Sequence, residues 1–244
     1  MNDYRVSAEF YDLLQAETDR RLAERRFARA AARARRAVLD IGAGTGIVTE
    51  VLLNASGVPV HAIEPAPAMR AALLSRLAAL GADRRARVTV HAEPLASAGL
   101  RQTAGLAIAS NVIACLDPTT RRAAWRDIAT ALVPGGLLLF DSPPTVLPEG
   151  PEELVPLGPV RVGPDQYSAT VTRCPHRGVE RVVFTYRVER EGRPLREASE
   201  RFDLWPATPE QLTRELAAAG LSVVRAPDPG LTAAWRPLAD ATRR

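Results

Sequence analysis

The sequence predicts an α/β fold: a doubly wound, mostly parallel sheet carrying an inserted antiparallel β-sheet. Three observations predict it. Between residues 37 and 142 short apolar runs alternate with helical stretches, as strands do when crossover helices bury both their faces. A glycine-dense turn, Gly42-Ala-Gly-Thr-Gly46, stands where the first apolar run gives way to the first helical one. From residue 143 to 205 the rhythm changes to a proline-rich link and then alternating segments, before a helix–strand pattern resumes.

Residues 8–36 lack proline and glycine and are rich in Ala, Leu, Arg and Glu, which predicts a long N-terminal helix. Strands follow at 37–41, 59–63, 87–91, 106–110 and 137–140, with helices at 47–55, 68–80 and 119–132 between them. Val133-Pro-Gly-Gly136 reads as the turn before the fifth strand. Residues 143–165 hold seven prolines and read as an irregular connection. Three strand-like runs come next, 167–174, 179–190 and 196–205. In the second, Val182, Phe184, Tyr186 and Val188 alternate with Val183, Thr185, Arg187 and Glu189, the pattern of a half-buried strand. A helix at 209–219, stopped by Gly220, and a strand at 221–225 return to the core pattern. The final segment, 231–238, is short and interrupted by proline, which predicts a sheet edge that is frayed or covered by a partner subunit.

Length and composition set limits. A chain of 244 residues with 46% hydrophobic and 25% charged residues fits one large domain with an insertion, able to bury a core without staples. The sequence contains no lysine; all 32 basic residues are arginine, against 28 acids. A net charge of +4 over this length is too small to predict a nucleic-acid partner. The densest arginine run, Arg20 to Arg36, is broken by Glu24 and reads as a solvated helix face. Cys115 and Cys174 have no metal-ligand spacing. No stretch is apolar enough for a membrane span or a leader, so a cytoplasmic protein without membrane contact is expected.

The glycine turn carries the chemistry. A dinucleotide fingerprint needs its third glycine at position 47, which is Ile47; the pattern is instead Asp40-x-Gly42-x-Gly44-x-Gly46. Glu64 ends the second strand, where a carboxylate can accept from both hydroxyls of a ribose. With VLDIGAGTG, HAIEP and LVPGGLLLF together, the chain resembles the class I S-adenosylmethionine-dependent methyltransferases. The resemblance is firm over 37–142 and weaker over 209–225. It implies a Rossmann-like, seven-stranded sheet and S-adenosyl-L-methionine as cofactor. It places Asp40 beneath the cofactor's amino group, Gly42, Ala43, Gly44 and Gly46 along its backbone cradle, and Glu64 with Pro65 at its ribose. Met69, Ala92 and Glu93 fall at its adenine, and Asn111 at its methionine end beside the acceptor.

Glu9-Phe-Tyr-Asp12 resembles the segment that opens many small-molecule members, where the N-terminal helix is a lid and Tyr11 faces the reacting centre. Asp141, ending strand five, and His176, in a turn of the insert, are further candidates for proton transfer. An insert after strand five resembles glycine/sarcosine-type and aminosugar N-methyltransferases. The expected organisation is a lid over 1–36, a cofactor-binding core over 37–142 and 206–244, and a substrate-covering insert over 143–205. The expected activity is methyl transfer to an amine or hydroxyl of a small molecule, a specialised metabolite. The alternatives are a peptide, protein or RNA acceptor, or a member that uses the cofactor without transferring its methyl. A small-molecule acceptor, no nucleic acid and a homodimer through the insert are the expected partners.

Overall fold

The computed structural model describes residues 4–238; residues 1–3 of the expected lid and 239–244 of the expected core lie outside them. The N-terminal helix α1 (Ser7–Arg33) leads into β1 (Ala37–Ile41), α2 (Ile47–Ala55), β2 (Val60–Ile63), α3 (Pro67–Ala78), the single turn α4 (Ala82–Arg85) and β3 (Val88–His91). Then come β4 (Ala104–Ala109), α5 (Pro118–Ala131) and β5 (Leu132–Asp141). After the insert, α6 (Pro209–Ala218), β11 (Ser222–Val224) and β12 (Leu231–Trp235) complete a seven-stranded sheet of order β11-β12-β5-β4-β1-β2-β3. Only β12 runs against its neighbours. Its pairing with β5 and β11 corrects the expectation of a frayed edge. Pro237 falls beyond the strand, so it breaks no ladder bond.

Local signals fix the helix starts. Asp117 accepts from the N–H groups of Thr119 and Thr120 ahead of Pro118, and Thr208 accepts from Gln211 ahead of Pro209. Between α5 and α6 the buried Arg121 meets Glu215 through two bonds of 2.9 and 3.0 Å, and Trp125 and Gln211 donate to the same carboxylate. The Val133–Gly136 segment, expected as a turn, belongs to β5. Its register against β4 shifts between Ala104 and Leu106, absorbing the Pro-Gly-Gly residues as an irregularity of the strand.

The insert is a five-stranded antiparallel sheet. The proline-rich link, expected to be irregular, contributes two of its strands, β6 (Glu152–Glu153) and β7 (Leu157–Val162), both paired to β8 (Asp165–His176). Then β9 (Val179–Arg190) and β10 (Arg193–Leu204) add a meander. Alternation gives the sheet two faces. One carries Tyr167, Ala169, Phe184, Tyr186, Val188 and Phe202, with the Arg190–Asp165 pair at its edge; the other carries the arginine–carboxylate pairs Arg181–Asp203 and Arg187–Glu197.

Helix α1 joins the two sheets. Its C-terminal half buries Ala23, Phe27 and Ala31 in the core. A fully buried Phe contributes roughly 2–3 kcal/mol. Its N-terminal half lays Phe10 on the apolar face of the insert, stacked on Tyr186 at 4.5 Å between centroids. The helix has no side-chain cap of its own at Val6. Glu200 of β10 fills that role, accepting from the Ser7 N–H at 2.7 Å, while the Tyr186 hydroxyl donates to Ser7 Oγ at 2.9 Å. Glu9 and Arg196 form a further ion pair across this seam.

Candidate active site

The turn after β1 is closed by backbone bonds: the N–H groups of Gly42 and Ala43 both donate to Ile63 O, and that of Gly46 to Ala43 O. Two glycines are required here. Gly42 has φ +68°, and a Cβ on it would sit 2.3 Å from Val112 Cγ2; Gly46 has φ +88°, with Leu73 Cδ1 at 2.5 Å from its would-be Cβ. Over Gly44 the space is open, the nearest atom to a Cβ there being Gly42 O at 4.0 Å. The loop is tight underneath and free above, as a cradle for a ligand must be.

Two carboxylates flank the cradle. Asp40 is 1% exposed and accepts from Thr49 Oγ1 at 2.5 Å. Burial pushes its carboxyl up to about 7, against the bond from Thr49, with the charge of Glu64 adding to the rise. Glu64 accepts from the Gly44 N–H at 2.7 Å through Oε2 and from the Ala66 N–H at 2.8 Å through Oε1. Burial raises its pKa, and those N–H groups and Arg70 oppose the rise. Each of its oxygens keeps one lone pair, enough for two hydroxyl donors. Open space over Gly44, a buried acid below and a carboxylate with two spare acceptor sites suit a ligand bearing an ammonium and a pair of vicinal hydroxyls. The residues present fit S-adenosylmethionine.

Helix α1 is latched to this loop by residues that sequence reasoning missed. Asp12 accepts from Thr45 Oγ1 at 2.5 Å and from Arg76 at 2.6 Å; Arg76 also donates to Thr45 O and Glu50. Arg20 joins the same Glu50 at 2.9 Å. The arginine run of α1 is therefore not wholly a solvated face. Arg20 is drawn into this network, and the Arg26 side chain, 14% exposed, pairs with both Asp141 and Asp228. The clue lay in spacing: Asp12, Asp19 and Arg26 stand seven apart and share one side of the helix.

Of the acid/base candidates, Asp141 serves three groups at once. It takes Arg26, and through Oδ2 it accepts from Ser110 Oγ and from the Asn111 N–H, each at 2.9 Å. That makes it a joint between α1 and the end of β4. Asn111 sits there at φ +56°, a conformation asparagine tolerates, and the next residue, Val112, closes over Gly42. Tyr11 donates to Asp19 Oδ2 at 2.9 Å, and burial, with the Asp19 charge next, pushes its phenol well above the usual value. Tyr4, missed in the sequence, is packed on Phe202 at 5.2 Å. Its pKa is raised by burial and by the nearby Cys115, Glu64 and Glu200. His176 lies at the tip of the β8–β9 hairpin, paired in register with Val179.

The remaining cofactor candidates take simpler places. Met69 is buried in α3, Pro65 offers its carbonyl to Arg70, and Ala92 and Glu93 are exposed just past β3. Among the described residues no group of histidine, cysteine and acids is arranged to hold a metal ion, and no helix is long and apolar enough to cross a membrane.

Residues 39–138 match the methyltransferase domain family. No curated protein matches the chain in sequence. Among solved structures it is similar to the sugar N-methyltransferase KedS8 from Streptoalloteichus, at 25% identity over 92% of this chain and 87% of that one, with a TM-score of 0.67. It is similar to CalS10, an amino pentose methyltransferase from Micromonospora echinaspora solved with S-adenosylmethionine bound. There the identity is 24%, the coverage 97% of both chains and the TM-score 0.69. DesVI from Streptomyces venezuelae shares the fold at 20% identity, over 98% of this chain and 99% of that one, with a TM-score of 0.68.

Proposed function

We propose, from the premise that the chain carries a class I S-adenosylmethionine-dependent methyltransferase domain, that it N-methylates an amino group on a sugar of a specialised metabolite. One observation carries the reading furthest. The similarity to a sugar N-methyltransferase extends over 92% of the chain, and so takes in the insert and α1 as well as the cofactor core. The chemistry between these parts agrees with it. Tyr4, Phe184 and Phe202 offer aromatic surface, and Glu200 and Asp19 offer negative charge. Such a lining suits an amine that reaches the site as a cation.

The cofactor supplies an activated methyl group on a positively charged sulfur. The chain's part is to bind, align and dry the reactants, since an in-line displacement draws much of its acceleration from alignment. Glu64 takes the ribose hydroxyls, Asp40 holds the amino group from below, and Met69, Ala92 and Glu93 border the adenine. Asn111 and Tyr11 stand at the methionine end. Asp141 keeps Asn111 in place by accepting from its N–H, and His176 stands apart at its hairpin tip.

The test is incubation with methyl-labelled cofactor and four acceptor sets: amino sugars, their hydroxyl counterparts, a peptide mixture and total RNA. Label on amino sugars alone is the expected result; label on hydroxyl counterparts, peptide or RNA instead overturns the reading. Calorimetry on Glu64→Ala gives an independent check. Two hydrogen bonds to a charged acceptor are worth about 1.5–3 kcal/mol each, so cofactor affinity is expected to fall at least tenfold.

A further inference from the structure

The polar stripe of α1 contains one carboxylate that the latch and the β5 joint leave over. Asp12 is engaged by Thr45 and Arg76, and Arg26 by Asp141 and Asp228. Asp19 lies between them on the same helix side and receives only the Tyr11 hydroxyl among the hydrogen bonds formed along this stripe. We infer that Asp19 is the positioning residue for Tyr11 and the final holder of the proton that an acceptor ammonium sheds before attack. The inference rests on the amine-methylation reading and deepens it.

The geometry supplies the argument. The Tyr11 proton is directed at Asp19 Oδ2 over 2.9 Å, so the free side of the phenol oxygen presents lone pairs. On that side Tyr11 accepts rather than donates. An ammonium N–H donated to it completes a relay. The phenol oxygen takes the nitrogen's proton as its own proton passes to Asp19 Oδ2. One N–H bond and one Tyr11 O–H bond break, one Tyr11 O–H and one Asp19 O–H bond form, and the nitrogen lone pair is released. Phenolate never accumulates, which matters for a phenol whose ionisation burial opposes so strongly.

The groups facing this pair are few. Asp12 lies on its own helix, Asp141 approaches from the end of β5 with Arg26 attached, and Tyr4 borders Tyr11 from the N-terminal segment. Burial raises the Asp19 carboxyl above its usual value, the Tyr11 bond opposes this, and the charges of Asp141 and Asp12 add to the rise. A carboxylate so raised is a stronger base near neutral pH than an exposed one.

Three variants, Asp19→Asn, Asp19→Glu and Tyr11→Phe, test the assignment in the full chain. Tyrosine-ring 13C NMR needs no acceptor: the sequence has four tyrosines, and loss of one signal in Tyr11→Phe assigns that residue. The Tyr11 signal is expected to show one titration step above the ordinary carboxylate range, absent in Asp19→Asn and retained in Asp19→Glu. A flat signal, or a step that survives in Asp19→Asn, overturns the inference. With the amino sugar labelled best by wild type, Asp19→Asn is expected to lower kcat about 100-fold, the scale of a lost general base, and to abolish that residue's acid limb. KM and calorimetric cofactor affinity should move less than about threefold, and Asp19→Glu should restore part of kcat with its limb. An equal fall in kcat with the limb unchanged overturns the proton role. If wild type labels no amine while the NMR step behaves as described, the amine reading fails, and the proton role with it.

Discussion

The two halves of this site are built by different means. Around the glycine loop, backbone does most of the work: N–H groups of Gly42, Ala43, Gly44 and Ala66 meet Ile63 O and Glu64 within one stretch of sequence. On the acceptor side, side chains do it across long separations. Ser7 meets Glu200 and Tyr186, 193 and 179 residues away, and Glu9 meets Arg196 at 187. A backbone cradle tolerates almost no change and is rigid; a seam of side chains can be recomposed one residue at a time.

The contrast breaks down first if the loop proves tolerant. Gly46→Ala puts a Cβ into buried Leu73 at a left-handed backbone position. Strain and overpacking together are expected to cost about 2–4 kcal/mol, read as a drop in the denaturation midpoint with loss of cofactor binding. A second measurement sharpens the electrostatics of the same half. Asp40, held near 7, must be ionised to attract a cationic ligand. Cofactor affinity is therefore expected to rise with pH up to about 7 and level off, falling roughly tenfold between pH 8 and 6. Asp40→Asn should flatten that dependence. For folding the sign is reversed: the raised carboxyl stabilises the native state below its unfolded value of 3.8, and that contribution is lost as pH climbs toward 7.

On the acceptor side the expected effects are smaller. Glu200→Gln weakens the cap on α1 by about 1 kcal/mol, visible as faster amide exchange over residues 7–14 with cofactor affinity unchanged. Arg187→Ala removes an exposed pair with Glu197 on the outer face of the insert, and no resolvable change in midpoint is expected, since solvent screens such pairs. A large effect there would erase the distinction.

The same division decided what was legible in the sequence. Asp40, the glycines and Glu64 were readable because a positive-φ turn between a strand and a helix demands specific residues at short spacing. The strand alternation of β9 was readable for the same local reason. Tyr4, Asp12, Arg76 and Glu200 were not, because each acts through a partner that only the tertiary fold brings near. Asp141 looked like a free acid at a strand end; Arg26, more than a hundred residues earlier, had already claimed it. The short strands β6 and β7 hid among prolines because they lie on one side of β8, where few ladder bonds are required of them.

The cap on α1 also sets where this protein can be cut and rejoined. The insert leaves the core after Asp141 and returns at Trp205, whose N–H is tied to Ala114 O, with Ala207 tied to Pro144 O just beyond. Those neighbouring exits invite grafting of residues 143–205 from one scaffold to another. Yet Ser7, Glu9 and Phe10 complete that sheet's buried face and take its hydrogen bonds. The transplantable unit is thus discontinuous: a chimera should carry the donor's residues 7–11 together with its insert, and break the chain again before the latch at Asp12.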